Sequence, residues 1–173
     1  MKAVVNSMPL IYLSKARAIN ILFKVYEENI IPETVYKEVV VNGPRKGYRD
    51  AELVRIAVEE GAIKIEKAPS RDVERILKLA PMLHRGEAEV LALALHHKPC
   101  HVLLDDRVAR LVASTLGLEV HGTLYVVAAA TAKNVVNVKE ALNILDELMR
   151  GGFRISVELY LETREKLLKL KKK

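Results

Sequence analysis

Short apolar runs alternate with longer stretches of helical periodicity along the chain. "KAVVN" (residues 2–6) is a continuous apolar run that predicts a buried strand, and "SMPLIYLSKARAINILFKVYEE" follows with Leu10, Leu13, Ile19, Leu22 and Phe23 at helical spacing. "NIIP" predicts a second strand closed by Pro32, which suits the opening of a helix over "ETVYKEVVV". The segment "NGPRKG" predicts a loop, residues 49–60 a helix, and the alternating "AIKIEKA" an exposed strand. Ser70 is a candidate N-cap for a helix over "RDVERILKLAPML", and Gly86 opens the nearly all-apolar helix "EAEVLALALHH". "HVLLDD" predicts a fourth strand, "RVARLVASTLG" a helix ended by Gly117, and "LEVHG" a fifth strand. Helices are expected over about 123–133, 138–150 and 156–170.

Continuous apolar strands separated by helices predict an α/β fold. The expectation is a three-layer α/β/α sandwich with a mostly parallel central sheet, because only a sheet covered on both faces buries both sides of its strands. At 173 residues the chain suits a single domain, with a C-terminal helical extension over about 138–173. In such sheets ligands bind beyond the carboxyl ends of the strands. Asn6 ends the first strand, and Asp105 and Asp106 end the fourth. If those strands are neighbours, these side chains share an edge.

Half the residues are hydrophobic and 29% are charged, which suits a folded protein rather than a disordered one. Cys100 is the only cysteine, so neither an intrachain disulfide nor a cysteine-built zinc site is expected. Together with the absence of a signal-like run or of the roughly 20 apolar residues a membrane helix needs, this points to a cytoplasmic protein with no membrane association. The net charge of +6 is uneven: "REKLLKLKKK" at 164–173 holds six basic residues and one acid, net +5, leaving +1 for the rest. That tail reads as a solvated terminus, with an arm for RNA or an acidic partner as the alternative.

The acids carry the chemistry. Asp106 would cap the helix that follows it, but a cap does not account for Asp105 beside it, since adjacent carboxylates raise one another's pKa unless a cation or donors offset them. Glu87 heads a helix stripe through Val90, Leu91 and Ala94 and so points inward; a first-turn acid complementing the helix dipole is the plainer reading. Glu38 flanks the apolar face of Val35, Tyr36, Val39 and Val40, where a solvated glutamate is the plainer reading. The histidines His84, His96, His97, His101 and His121 share no metal-ligand spacing. Dinucleotide and P-loop glycine motifs are missing, as is a Gly-x-Ser-x-Gly elbow, which weighs against a small-molecule-binding α/β domain or a serine hydrolase.

In order, "VVNSMPLIYLSK", "IIPETVYKEVV", "GEAEVLALAL", "LLDDRVAR", "GLEVHGTL" and "GGFRISVELY" resemble the PIN domain, the nuclease fold of the VapC toxins of prokaryotic toxin–antitoxin pairs. The likeness covers nearly all of residues 3–162 and is greatest to a VapC-like branch with extra C-terminal helices. It implies a metal-dependent endoribonuclease that hydrolyses RNA phosphodiester bonds, with Glu38, Glu87 and Asp105 or Asp106 as catalytic acids holding Mg²⁺ or Mn²⁺. The first acid position holds Asn6 where PIN nucleases generally have aspartate, so a scaffold that binds RNA or protein without cutting is the rival expectation. Ser7, Arg107 and Thr123 are candidate substrate-binding residues; Ser7 and Thr123 would otherwise be helix caps, and Arg107 a surface residue. The resemblance further implies a homodimer and an antitoxin partner, and the apolar spacing of Leu142, Leu145, Leu148, Leu159, Leu167 and Leu170 supplies either ordinary packing or a face for such contacts.

Overall fold

The structure, a computed structural model, describes residues 1–42 and 51–170. Five strands, β1 (Lys2–Val5), β2 (Glu28–Pro32), β3 (Lys64–Glu66), β4 (His101–Leu103) and β5 (Glu119–His121), form one sheet in the order β3-β2-β1-β4-β5. Every pairing is parallel. Consecutive residues Ala3, Val4 and Val5, like Ile30 and Ile31, are wholly buried, so both faces of the central strands are covered. That is the physical reason these strands read as unbroken apolar runs.

The helices are α1 (Ser7–Lys15), α2 (Asn20–Val25), α3 (Glu33–Tyr36), α4 (Ala51–Glu59), α5 (Ser70–Leu79), α6 (Arg85–His96), α7 (Arg107–Thr115), α8 (Thr123–Ala132), α9 (Val138–Arg150) and α10 (Val157–Leu170). The apolar α6 packs across β1, β2 and β4, and α2 and α8 pack together over the other face. No helix among the described residues is long and apolar enough to cross a membrane.

Several boundaries differ from expectation. The single long helix after β1 is two, because Ala18 N–H reaches Leu13 O (2.8 Å) and turns Arg17 into the left-handed region at φ 52°. This is a Schellman-type stop without the glycine that would mark it in sequence. The helix over "ETVYKEVVV" becomes α3 followed by a π-helical turn, Lys37–Val41. Ser70 is the first helical residue of α5 rather than its cap, with Pro69 at the cap position, and α5 ends at Leu79. Gly117 does end α7, at φ 66°. Most of the expected "NGPRKG" loop, and the expected start of the helix over 49–60, lie outside the described residues.

At the amino ends of the strands, Glu28 of β2 meets Lys2 of β1 (3.0 Å) and Lys64 of β3 (2.8 Å). The hydrogen bond from Lys64, then that from Lys2, holds its carboxyl at about 2, below the ordinary 4.5. A depressed carboxyl contributes stability that is full above the unfolded value and lost as pH falls toward the folded one. The Tm difference between the native chain and Glu28→Gln should therefore be greatest above about pH 4.5 and close toward pH 2 in thermal melts; for an exposed pair it should also shrink in salt.

Candidate active site

The order β3-β2-β1-β4-β5 puts the reversal of strand order between β1 and β4, where a parallel sheet opens a crevice at its carboxyl edge. Val5 is paired with Leu103, and Asn6 N–H donates to Leu103 O at 3.0 Å. Asn6 and the aspartate doublet thus leave neighbouring strand ends, as the sequence expectation required. Asn6 is 5% exposed and occupies the N-cap position of α1, yet its side chain makes no capping bond. Ser7, also buried, is the first residue of α1 rather than its cap.

The two aspartates divide their tasks. Asp106 caps α7, its Oδ1 accepting from Ala109 N–H at 2.8 Å. Asp105 turns the other way: Oδ1 accepts from Thr123 N–H (2.8 Å) and Oδ2 from Thr123 Oγ1–H (2.6 Å). Burial pushes the Asp105 carboxyl up, while the Thr123 bonds and the charge of Arg110 pull it back down. Thr123 is thereby a holder of Asp105 rather than the cap of α8, a position taken by Gly122. The exposed Arg107 begins α7, and Arg110, one turn on, is the arginine near Asp105.

Glu87 is half-buried in the first turn of α6, where its Oε2 accepts from His84 N–H at 2.9 Å, a reciprocal end-of-helix arrangement of the capping-box kind. The chain runs from α6 into the amino end of β4, so the start of α6 lies toward the carboxyl edge of the sheet. Glu38 is half-buried in the π-helical turn that follows β2 and α3 at the same edge. A Cβ on Gly86 would stand 3.6 Å from Thr34 Cγ2, which shows how closely α3 approaches the head of α6. Glu38, Glu87 and either aspartate nevertheless do not all come within 4.8 Å of one another.

The one group of three or more potential metal-ligating residues that does so among the described residues is His101, Glu119 and His121. The histidine spacing gave no sign of it. Glu119 and His121 are two apart on a strand and so share a face, but His101 joins them only because β4 pairs with β5. Two further residues, Arg110 and Gly122, also escaped the sequence reading, since the closeness of each to Asp105 depends on how α7 and the turn after β5 pack together.

Gly122 is required for space, not for backbone conformation, its φ of −114° being open to any residue. A Cβ there would lie 2.8 Å from both Asp105 Oδ1 and Arg110 Nη1, closer than side chains approach.

An all-parallel sandwich with a half-buried carboxylate at its reversal point and further acids at the same edge is consistent with a nuclease-type α/β fold. The PIN-domain family model matches residues 2–169, and the chain belongs to that family. No curated protein and no solved structure gives a significant match.

Gly122→Ala is expected to cost about 1–3 kcal/mol, because Asp105 is fixed by two bonds and cannot swing away freely. The check is a Tm lowered by about 2–10 °C. An unchanged Tm would mean that the Asp105 carboxylate yields without cost.

Proposed function

We propose that the chain is a metal-dependent endoribonuclease of the VapC type. The observation that carries this reading is the half-buried Asp105 carboxylate at the β1–β4 reversal point, held on both oxygens by Thr123 and beside the end of β1. The donor set fits Mg²⁺ or Mn²⁺: Glu38, Glu87 and Asp105 offer hard carboxylate oxygens, and Asn6 a neutral amide oxygen. Burial leaves the Asp105 charge poorly solvated, so a cation is favoured there. A bound divalent ion supplies Lewis acidity, favouring hydroxide from water and offsetting charge on the phosphodiester.

The chain's own groups do the rest. Thr123 orients Asp105, and Asp106 anchors the start of α7, which carries Arg110 into place. Arg110, which lines a cavity with Asp105, would meet a phosphate oxygen, with the exposed Arg107 as a further contact and the buried Ser7 as a support behind Asn6. Asn6 gives an oxygen but no charge, so the ion is held less firmly than by four acids. That weakness favours the second reading, a PIN scaffold that binds RNA or protein without cutting. A homodimer and an antitoxin partner belong with the VapC-type reading.

Single-stranded RNA incubated with the protein in Mn²⁺ should be cleaved, with Glu87→Gln and Asp105→Asn each reducing the rate by about a hundredfold. Asn6→Asp should raise activity and lower the metal concentration required. Cleavage indifferent to both acid substitutions would rule out this site, and no cleavage in any divalent metal would leave the binding scaffold as the function.

A further inference from the structure

Beside the acidic edge, β4 and β5 carry a second cluster next to α8. His101 is paired with Glu119 in the strand register, and His121 lies two residues beyond Glu119 on the same face. One oxygen, Glu119 Oε1, lies 3.1 Å from His101 Nε2 and 3.1 Å from His121 Nε2. On its other side, His101 Nδ1 is 2.9 Å from the buried Tyr26 hydroxyl. The His121 ring stacks on Tyr125 of α8, centroids 3.6 Å apart and planes 12° from parallel. Both rings are therefore oriented by neighbours that the nuclease chemistry does not use.

We propose that His101 Nε2, His121 Nε2 and Glu119 Oε1 form a three-ligand site for a borderline transition-metal cation of the zinc class. Ligands about 2.0 Å from a tetrahedral zinc ion stand about 3.3 Å apart, so the two 3.1 Å separations need to open by only a few tenths of an ångström. Each neutral imidazole would bind the ion through Nε2 and keep its ring proton on Nδ1. Two imidazoles with one carboxylate suit zinc-class ions, whereas the all-oxygen acidic edge suits Mg²⁺ or Mn²⁺. His101 then donates its Nδ1–H to Tyr26, the kind of outer hydrogen bond that fixes a metal-binding imidazole.

Access is open: Glu119 is 62% exposed, and His121 lines a cavity of about 690 Å³ together with Asp105, Gly122 and Tyr125. The fourth position is left to water. An ion here would tie the edge strand β5 to β4 and steady the turn from His121 through Gly122 to Thr123, the residue that holds Asp105. It is a positioning site for the catalytic edge, and its existence does not depend on the nuclease reading.

The test uses the full chain freed of metal by a chelator and titrated with Zn²⁺ against a chromophoric competitor. One Zn²⁺ per chain is expected, with affinity reduced about a hundredfold or more in Glu119→Gln and in His121→Asn, and unchanged in His96→Ala, which removes an exposed histidine elsewhere. Zn²⁺ at a hundred times its Kd should raise the Tm of the native chain by about 5–10 °C and leave that of Glu119→Gln little changed. Glu119 is exposed, so this variant reports even if His121→Asn folds poorly. No stoichiometric binding, or binding equally tight in Glu119→Gln, overturns the proposal and leaves a hydrogen-bonded trio only.

Discussion

The pairing of β1 with β4 is the constraint on which the rest of the molecule depends. A parallel sheet buried on both faces favours apolar side chains along its central strands, so most of its polar chemistry lies toward the strand ends. Because β1 continues to β2 and β3 on one side and meets β4 and β5 on the other, the connections diverge at that seam and leave a crevice. Asn6 and Asp105 emerge at its mouth, while α3 and α6 bring Glu38 and Glu87 to the same edge. Without that one register, the acids would be residues far apart in the chain with nothing in common.

The aspartate doublet shows how the fold handles two like charges in adjacent positions. Helix α7 takes Asp106 for its first turn, where backbone N–H groups and the helix dipole favour a carboxylate. Asp105 is turned into the fold, where its desolvation is opposed by the Thr123 donors and by Arg110. The opposition is incomplete, so the carboxyl remains above its ordinary value, and a cation is the natural complement. Gly122 is what makes the arrangement possible, because only a residue without a Cβ lets Asp105 and Arg110 come so close to its backbone.

The His101–Glu119–His121 group and the acidic edge are joined by covalent sequence: His121, Gly122 and Thr123 are consecutive. Whatever steadies His121 also steadies the donors that hold Asp105. The stacking of Tyr125 on His121 and the hydrogen bond between Tyr26 and His101 extend that support into α8 and the segment after α2. The histidine–glutamate group and Asp105 therefore both act on one short turn, the first from the sheet face and the second from the rim.

Much of this was legible in the residue order. Continuous apolar runs at 3–5, 30–31 and 102–104 marked a sheet buried on both sides, Gly117 marked a helix end, and the polar residues that terminate the runs at 3–5 and 102–104 marked its carboxyl edge. These are local signals, because periodicity and turn chemistry act over a few residues. The stop at Arg17, the separate fates of Asp105 and Asp106, the placing of Arg110 and the need for Gly122 were not legible. The stop at Arg17 is local but has no glycine to mark it, and the others depend on contacts made by segments distant in the chain. The histidine group is the clearest case: spacing alone gave His101 no partner, and the parallel register of β4 on β5 gave it two. Composition and pattern decide what must be buried, but which buried groups meet is decided by strand pairing, since a parallel ladder joins residues that no short-range rule connects.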